Sequence, residues 1–112
     1  MTTIWHNPRC SKSRQTLALL EDNGHMPKLR MYLKEPPSID EITTVLRQLS
    51  ISAADLVRKG ESVFKDLGLK DADEDRLIAA MAAHPTLIER PIVVHNDHAK
   101  IGRPPESVLD LF

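Results

Sequence analysis

The stretch TIWHNPRCSKSRQTLALLEDNG, residues 3 to 24, holds the only cysteine of the chain, Cys10, between a short apolar run and a helical pattern. The thiolate, not the thiol, attacks electrophiles, and a free cysteine with a pKa of ~8.5 is mostly protonated at neutral pH. The first turn of a helix stabilises the anion, because its backbone N–H groups lack intrahelical partners and the macrodipole is positive there. His6, Arg9, Lys12 and Arg14 lie close in sequence and add positive or donor groups. Free cysteines also serve as buried apolar filler. Here the neighbours are Asn, Pro, Arg, Ser and Lys, which favours a reactive nucleophile.

Two cysteine chemistries conflict with the spacing. A dithiol exchange enzyme uses C-x-x-C, whereas CSKS places Ser13 at the second position, so any resolving thiol belongs to another molecule. A tyrosine-phosphatase loop has Arg six residues after the Cys; Leu17 stands there, and Arg14 comes four after. Ser13 is instead a candidate hydrogen-bond donor to the thiolate, or a plain first-turn polar residue. A single Cys cannot form an internal disulfide, which fits a reducing compartment such as the cytoplasm.

The elements that must position Cys10 follow from periodicity. TTIWH (2 to 6) reads as a strand and SKSRQTLALLEDNG as a helix closed by Asn23-Gly24. KLRMYL (28 to 33) reads as a second strand, parallel to the first because a helix crosses between them. In EPPSIDEITTVLRQLS, Ser38 and Glu41 form a capping-box pattern, and Ile42, Val45, Leu46 and Leu49 repeat at helical spacing. ISAADLVRKG, ESVFKDLG and DADEDRLIAAMAAHP give three more helical pieces, so about 38 to 84 is a helical insert. RPIVVHNDHAKIG predicts an antiparallel hairpin turning at Asn96-Asp97. RPPESVLDLF predicts a final helix with Val108, Leu109 and Phe112 on one side. The order β-α-β, helices, β-β-α allows a thioredoxin-like mixed sheet in a single α/β domain spanning residues 1 to 112.

Composition narrows the partners. The 112 residues suit one core, and 15 Lys plus Arg against 16 Asp plus Glu give a net charge of −1. No overall field holds nucleic acid or an anionic membrane, so any anion site is local. No apolar run approaches the roughly 20 residues of a transmembrane helix, and MTTIWHNPRC lacks the order of a signal peptide. His95 and His98 in HNDH are two imidazoles without an evident third ligand, hence solvated hairpin residues rather than a metal site. His84 reads as a helix end, and Trp5 and Phe64 as core or interface aromatics. DADED suits the N-terminus of a helix better than calcium, since the Gly and distal Glu of an EF-hand loop are absent.

HNPRCSKSRQTL, LVRKG, LIERPIVV and IGRPPESVLDLF, in this order and spacing, resemble the ArsC-type arsenate reductases over nearly the whole chain. The resemblance implies a thioredoxin-like fold with a helical insert. Residue by residue, it assigns catalysis to Cys10, a thiol-activating role to His6 and oxyanion binding to Arg58, Arg90 and Arg103. It also matches Pro91 to the cis-proline of thioredoxin-like folds. Guanidinium forks suit a tetrahedral oxyanion through paired charge-assisted hydrogen bonds. The implied reaction reduces arsenate to arsenite, with glutathione as co-substrate, glutaredoxin as partner and no tightly bound cofactor or metal. Two departures bear on substrate and efficiency more than on fold. Arg9 stands where such reductases often carry a small residue, and the sequence ends at Phe112, where well-known reductases of this type continue. Two other readings of the chain stand beside this one. One is a glutathione-linked thiol oxidoreductase without arsenate activity; the other is an Spx-like regulator that binds RNA polymerase, which the missing C-x-x-C disfavours.

Overall fold

The computed structural model describes residues 1–112. The chain divides into two compact units, Met1–Glu35 with Arg90–Phe112, and Pro36–Glu89.

The first unit is built on a four-stranded mixed sheet. Its strands β1 (Thr2–Trp5), β2 (Lys28–Arg30), β3 (Ile92–His95) and β4 (His98–Ile101) lie in the order β2-β1-β3-β4. β1 and β2 are parallel, with Ile4 opposite Leu29, as the intervening helix α1 (Ser11–Asp22) requires. β1 pairs antiparallel with β3, placing Ile4 opposite Val93, and β3 pairs antiparallel with β4. The hairpin turns at Asn96, whose φ of 56° is the left-handed conformation that Asn tolerates better than most residues. Ile4, Leu20, Val93 and Val108 are fully buried together, with Leu17 and Leu111 packed against them. Burying four such side chains contributes on the order of 6–12 kcal/mol before entropy is counted.

Three details differ from the periodicity. β2 ends at Arg30, because residues 31–35 fold into a turn in which the Lys34 and Glu35 amides both donate to Met31 O. The C-terminal segment Pro105–Leu111 is a 3₁₀ helix rather than an α-helix. Val108 is buried there, but Phe112 is 44% exposed, so it does not join the core face. Its ring stacks on His25 with centroids 3.7 Å apart.

The second unit is helical and extends beyond the expected insert at both ends. It holds α2 (Ile39–Leu49), α3 (Ala53–Leu56), α4 (Ser62–Asp66), α5 (Glu74–Ala83) and a 3₁₀ turn at Pro85–Leu87. α2 starts with a full capping box, the Glu41 amide donating to Ser38 Oγ and the Ser38 amide to Glu41 Oε1. Its buried face is Ile42, Val45 and Leu46, three of the four positions read from spacing. The acidic run caps α5: Asp73 accepts from the Arg76 amide, and Glu74 and Asp75 fill the first turn. Glu74 also accepts the Ala53 amide at 3.0 Å with both carboxylate oxygens, tying α5 to the start of α3.

Candidate active site

Cys10 is the N-cap residue of α1, in extended conformation, and is 8% exposed. Its carbonyl accepts the Arg14 amide, while its thiol makes no capping hydrogen bond to the first-turn amides. The sulfur therefore sits at the positive end of the helix without consuming the donors there. That placement follows from sequence, since apolar residues precede the loop and Thr16 and Leu20 repeat at helical spacing after it.

The loop from His6 to Arg9 is held by a set of hydrogen bonds. The His6 amide donates to Arg30 O at 2.9 Å, and the Cys10 amide to Asn7 O at 3.0 Å. The Asn7 amide donates to Ser13 Oγ, and Asn7 Oδ1 accepts the Arg9 amide at 3.0 Å, an Asx-type turn. Asn7 is thus an organising residue that the chemical reading passed over; its position before Pro8 was the available signal. Arg14 reaches back to Pro8 O at 2.9 Å.

Ser13 is fully buried, and its hydroxyl is 2.7 Å from His6 Nδ1. It makes no hydrogen bond to Cys10, contrary to one reading of its position. The register of the helix turns Ser13 toward His6 and the Asn7 amide instead. His6 is 6% exposed, and its pKa lies below the ordinary 6.5, chiefly through burial and then through the Arg14 charge, with Glu21 opposing. Burial thus favours the neutral imidazole, which serves there as a hydrogen-bonding group.

Arg103 is the cation that meets the sulfur. Its Nη2 lies 3.9 Å from Cys10 Sγ, while its Nε donates to Arg90 O at 2.9 Å. The carbonyl thereby aims the guanidinium without adding a negative charge. Arg90 precedes a cis peptide bond to Pro91, and Arg103 precedes a second one to Pro104. Arg90 Nε is buried with no hydrogen bond of its own, while the residue is engaged elsewhere. Gly102 joins these segments: its amide donates to Pro91 O, and a Cβ there would meet Thr16 Oγ1 at 2.5 Å and Pro91 Cγ at 2.8 Å. Only glycine allows this approach, and neither it nor the second cis bond was read from the sequence.

Arg58 belongs to the helical unit. Its amide donates to Leu87 O, and Val57 bridges to Ile88. The guanidinium donates to Glu61 Oε1 at 2.7 Å and lies 3.8 Å from Glu89. His95 Nδ1 is 2.8 Å from Thr2 Oγ1, and His98 is exposed on the hairpin. No group of three or more His, Cys, Asp and Glu side chains is placed to hold a metal ion.

The sheet order, the helix after β1 and the cysteine at its start define a thioredoxin-like α/β protein with a monothiol site. Within that class the chain belongs to the ArsC family, whose sequence model matches residues 5–111. It is 44% identical over 112 residues to an arsenate reductase of Haemophilus influenzae, covering 97% of each chain. It is 49% identical over 111 residues to an uncharacterized protein, YfgD, of Escherichia coli K12, covering 96% of this chain and 93% of that one. The structure of an arsenate reductase from Vibrio cholerae superposes with a TM-score of 0.97 at 48% identity, covering 99% of this chain and 97% of that one.

Proposed function

We propose that this protein reduces arsenate to arsenite through the Cys10 thiolate, with glutathione and glutaredoxin as external reductants in the cytoplasm. The observation that carries the reading is the Arg103 guanidinium, anchored on Arg90 O and 3.9 Å from a sulfur at a helix N-terminus. The names of the similar proteins from Haemophilus influenzae and Vibrio cholerae support the substrate.

In the first step the thiolate attacks arsenic(V), a sulfur–arsenic bond forms, and one arsenic–oxygen bond breaks, its hydroxyl taking a proton from solvent to leave as water. Arg103 and Arg90 spread the oxyanion charge, and Arg58 is the third candidate for that role. Glutathione thiolate then attacks the Cys10 sulfur. A disulfide forms, the sulfur–arsenic bond breaks with its electron pair on arsenic, and arsenite departs. A glutaredoxin thiol finally attacks the glutathione sulfur and releases Cys10 as thiolate. The lone cysteine makes an external thiol necessary on this route. His6 and Ser13 keep the loop before Cys10 in place and offer a neutral proton relay beside it.

The test is arsenite production from arsenate with glutathione and glutaredoxin, run beside Cys10→Ser. Turnover that vanishes in the variant, by at least about 10³-fold, supports the reading. Turnover that survives the substitution refutes Cys10 as nucleophile, and absent turnover with a readily alkylated thiol refutes arsenate as substrate.

A further inference from the structure

A cleft of about 260 Å³ lies beside the cysteine loop, lined by His6, Asn7, Pro8 and Arg9 on one wall and Met31, Leu33 and Lys34 on the other. We infer that this cleft is the subsite for the carboxylate-bearing end of the external thiol, a small peptide thiol. The inference rests on the need for such a thiol in the proposed function.

Charge is the first argument. The lining carries Arg9 and Lys34 and no acidic residue, and no carboxylate forms an ion pair with either side chain. In a chain of net charge −1, two such cations on one cleft make a local anion site. Size is the second. Whole drug-sized ligands occupy roughly 300–1,000 Å³, so this volume suits one residue of a ligand rather than all of it. Met31, Leu33 and Pro8 supply the apolar surface that an aliphatic stem would cover.

Both walls are pre-organised. The loop wall is fixed by the His6 amide on Arg30 O and by Asn7 bonded to Ser13 and Arg9. The opposite wall is a turn closed on Met31 O and clamped by Arg30, whose Nε and Nη2 donate to Glu35 O at 3.1 and 3.0 Å. Binding there therefore orders little new chain. The cleft's loop wall ends at Arg9, the residue before Cys10, and an extended tripeptide spans ~10 Å.

The test reads disulfide exchange at Cys10, which needs no arsenate. Cys10 thiolate attacks glutathione disulfide, forming the Cys10–glutathione disulfide and releasing one glutathione thiolate; bis(2-hydroxyethyl) disulfide undergoes the same exchange without carboxylates. Mixed-disulfide formation is followed by intact-protein mass spectrometry in wild type and in Lys34→Glu, an exposed position outside the cysteine loop. Expected is a loss of about tenfold in the rate with glutathione disulfide, abolished by high salt, and no change with the neutral disulfide. Equal rates for both proteins, or an equal loss with both disulfides, would overturn the subsite. A Cys10 that neither disulfide modifies would overturn the reactive thiol as well, whereas missing arsenate turnover with intact discrimination would leave the subsite standing. A defect seen only with glutaredoxin present would assign the cleft to the protein partner and overturn the small-thiol subsite.

Discussion

Arg103 in the sheet unit and Arg58 in the helical unit are both candidate oxyanion ligands, yet their guanidinium groups are held by opposite means. Arg103 is oriented by a neutral backbone carbonyl, so the anchor leaves its charge to act on the neighbouring sulfur. Arg58 is oriented by Glu61 and Glu89, whose carboxylates share its charge. A carbonyl supplies geometry alone, whereas a carboxylate supplies geometry and neutralisation. Arg103 thus already meets the sulfur, whereas Arg58 must exchange a carboxylate partner to meet an anion.

Removing Arg103 gives the largest expected effect on that contrast. Arg103→Ala should lower kcat/KM for arsenate by roughly 100-fold, the scale of losing one donor to a developing oxyanion. Arg103→Lys should recover little, because an ammonium cannot bond Arg90 O and reach the sulfur through a rigid fork. Full activity in the lysine variant would show that only charge matters.

Gly102→Ala probes the backbone that presents Arg103. Its Cβ would press on Thr16 and the Pro91 ring, so the thermal midpoint should drop, by about 1–3 kcal/mol of stability. An unchanged midpoint would mean that the neighbours yield and the close approach is not required. Arg58→Ala should cost less than about tenfold in kcat/KM, since its charge is already shared. Glu61→Gln sharpens the same point: if Arg58 contacts the anion, freeing it lowers the arsenate KM, and an unmoved KM removes Arg58 from the clamp.

The smallest effect concerns pH. The folded pKa of His6 is depressed below 6.5, so the folded state binds that proton less tightly than the unfolded chain. Its contribution to stability is fully present above about pH 6.5, declines as pH falls toward the folded value and levels off beneath it. Thermal midpoints of His6→Asn should fall less than those of wild type over that window. Parallel curves would assign the acid sensitivity to other groups.

Local sequence determined much of this protein. The Ser38 and Glu41 capping box, the Ile42, Val45 and Leu46 face, the Asp73 cap and the helix behind Cys10 are near-neighbour effects, set within a few residues by backbone hydrogen bonding and side-chain spacing. The hairpin at Asn96 was legible for the same reason. Four short motifs also carried the family, because their residue types and order survive without coordinates.

Tertiary structure decided what links distant segments. Whether Ser13 faces the sulfur or His6 depends on the rotation of α1 against the loop, which spacing does not specify. The carbonyl that aims Arg103 lies thirteen residues away, and its sulfur contact lies ninety-three away. Gly102 looks like an ordinary turn glycine until Thr16 and Pro91 close around it. The sequence by itself thus determined which groups can do chemistry at Cys10; the long-range packing of the sheet unit decided which of them point at it, because those directions come from contacts that no local pattern encodes.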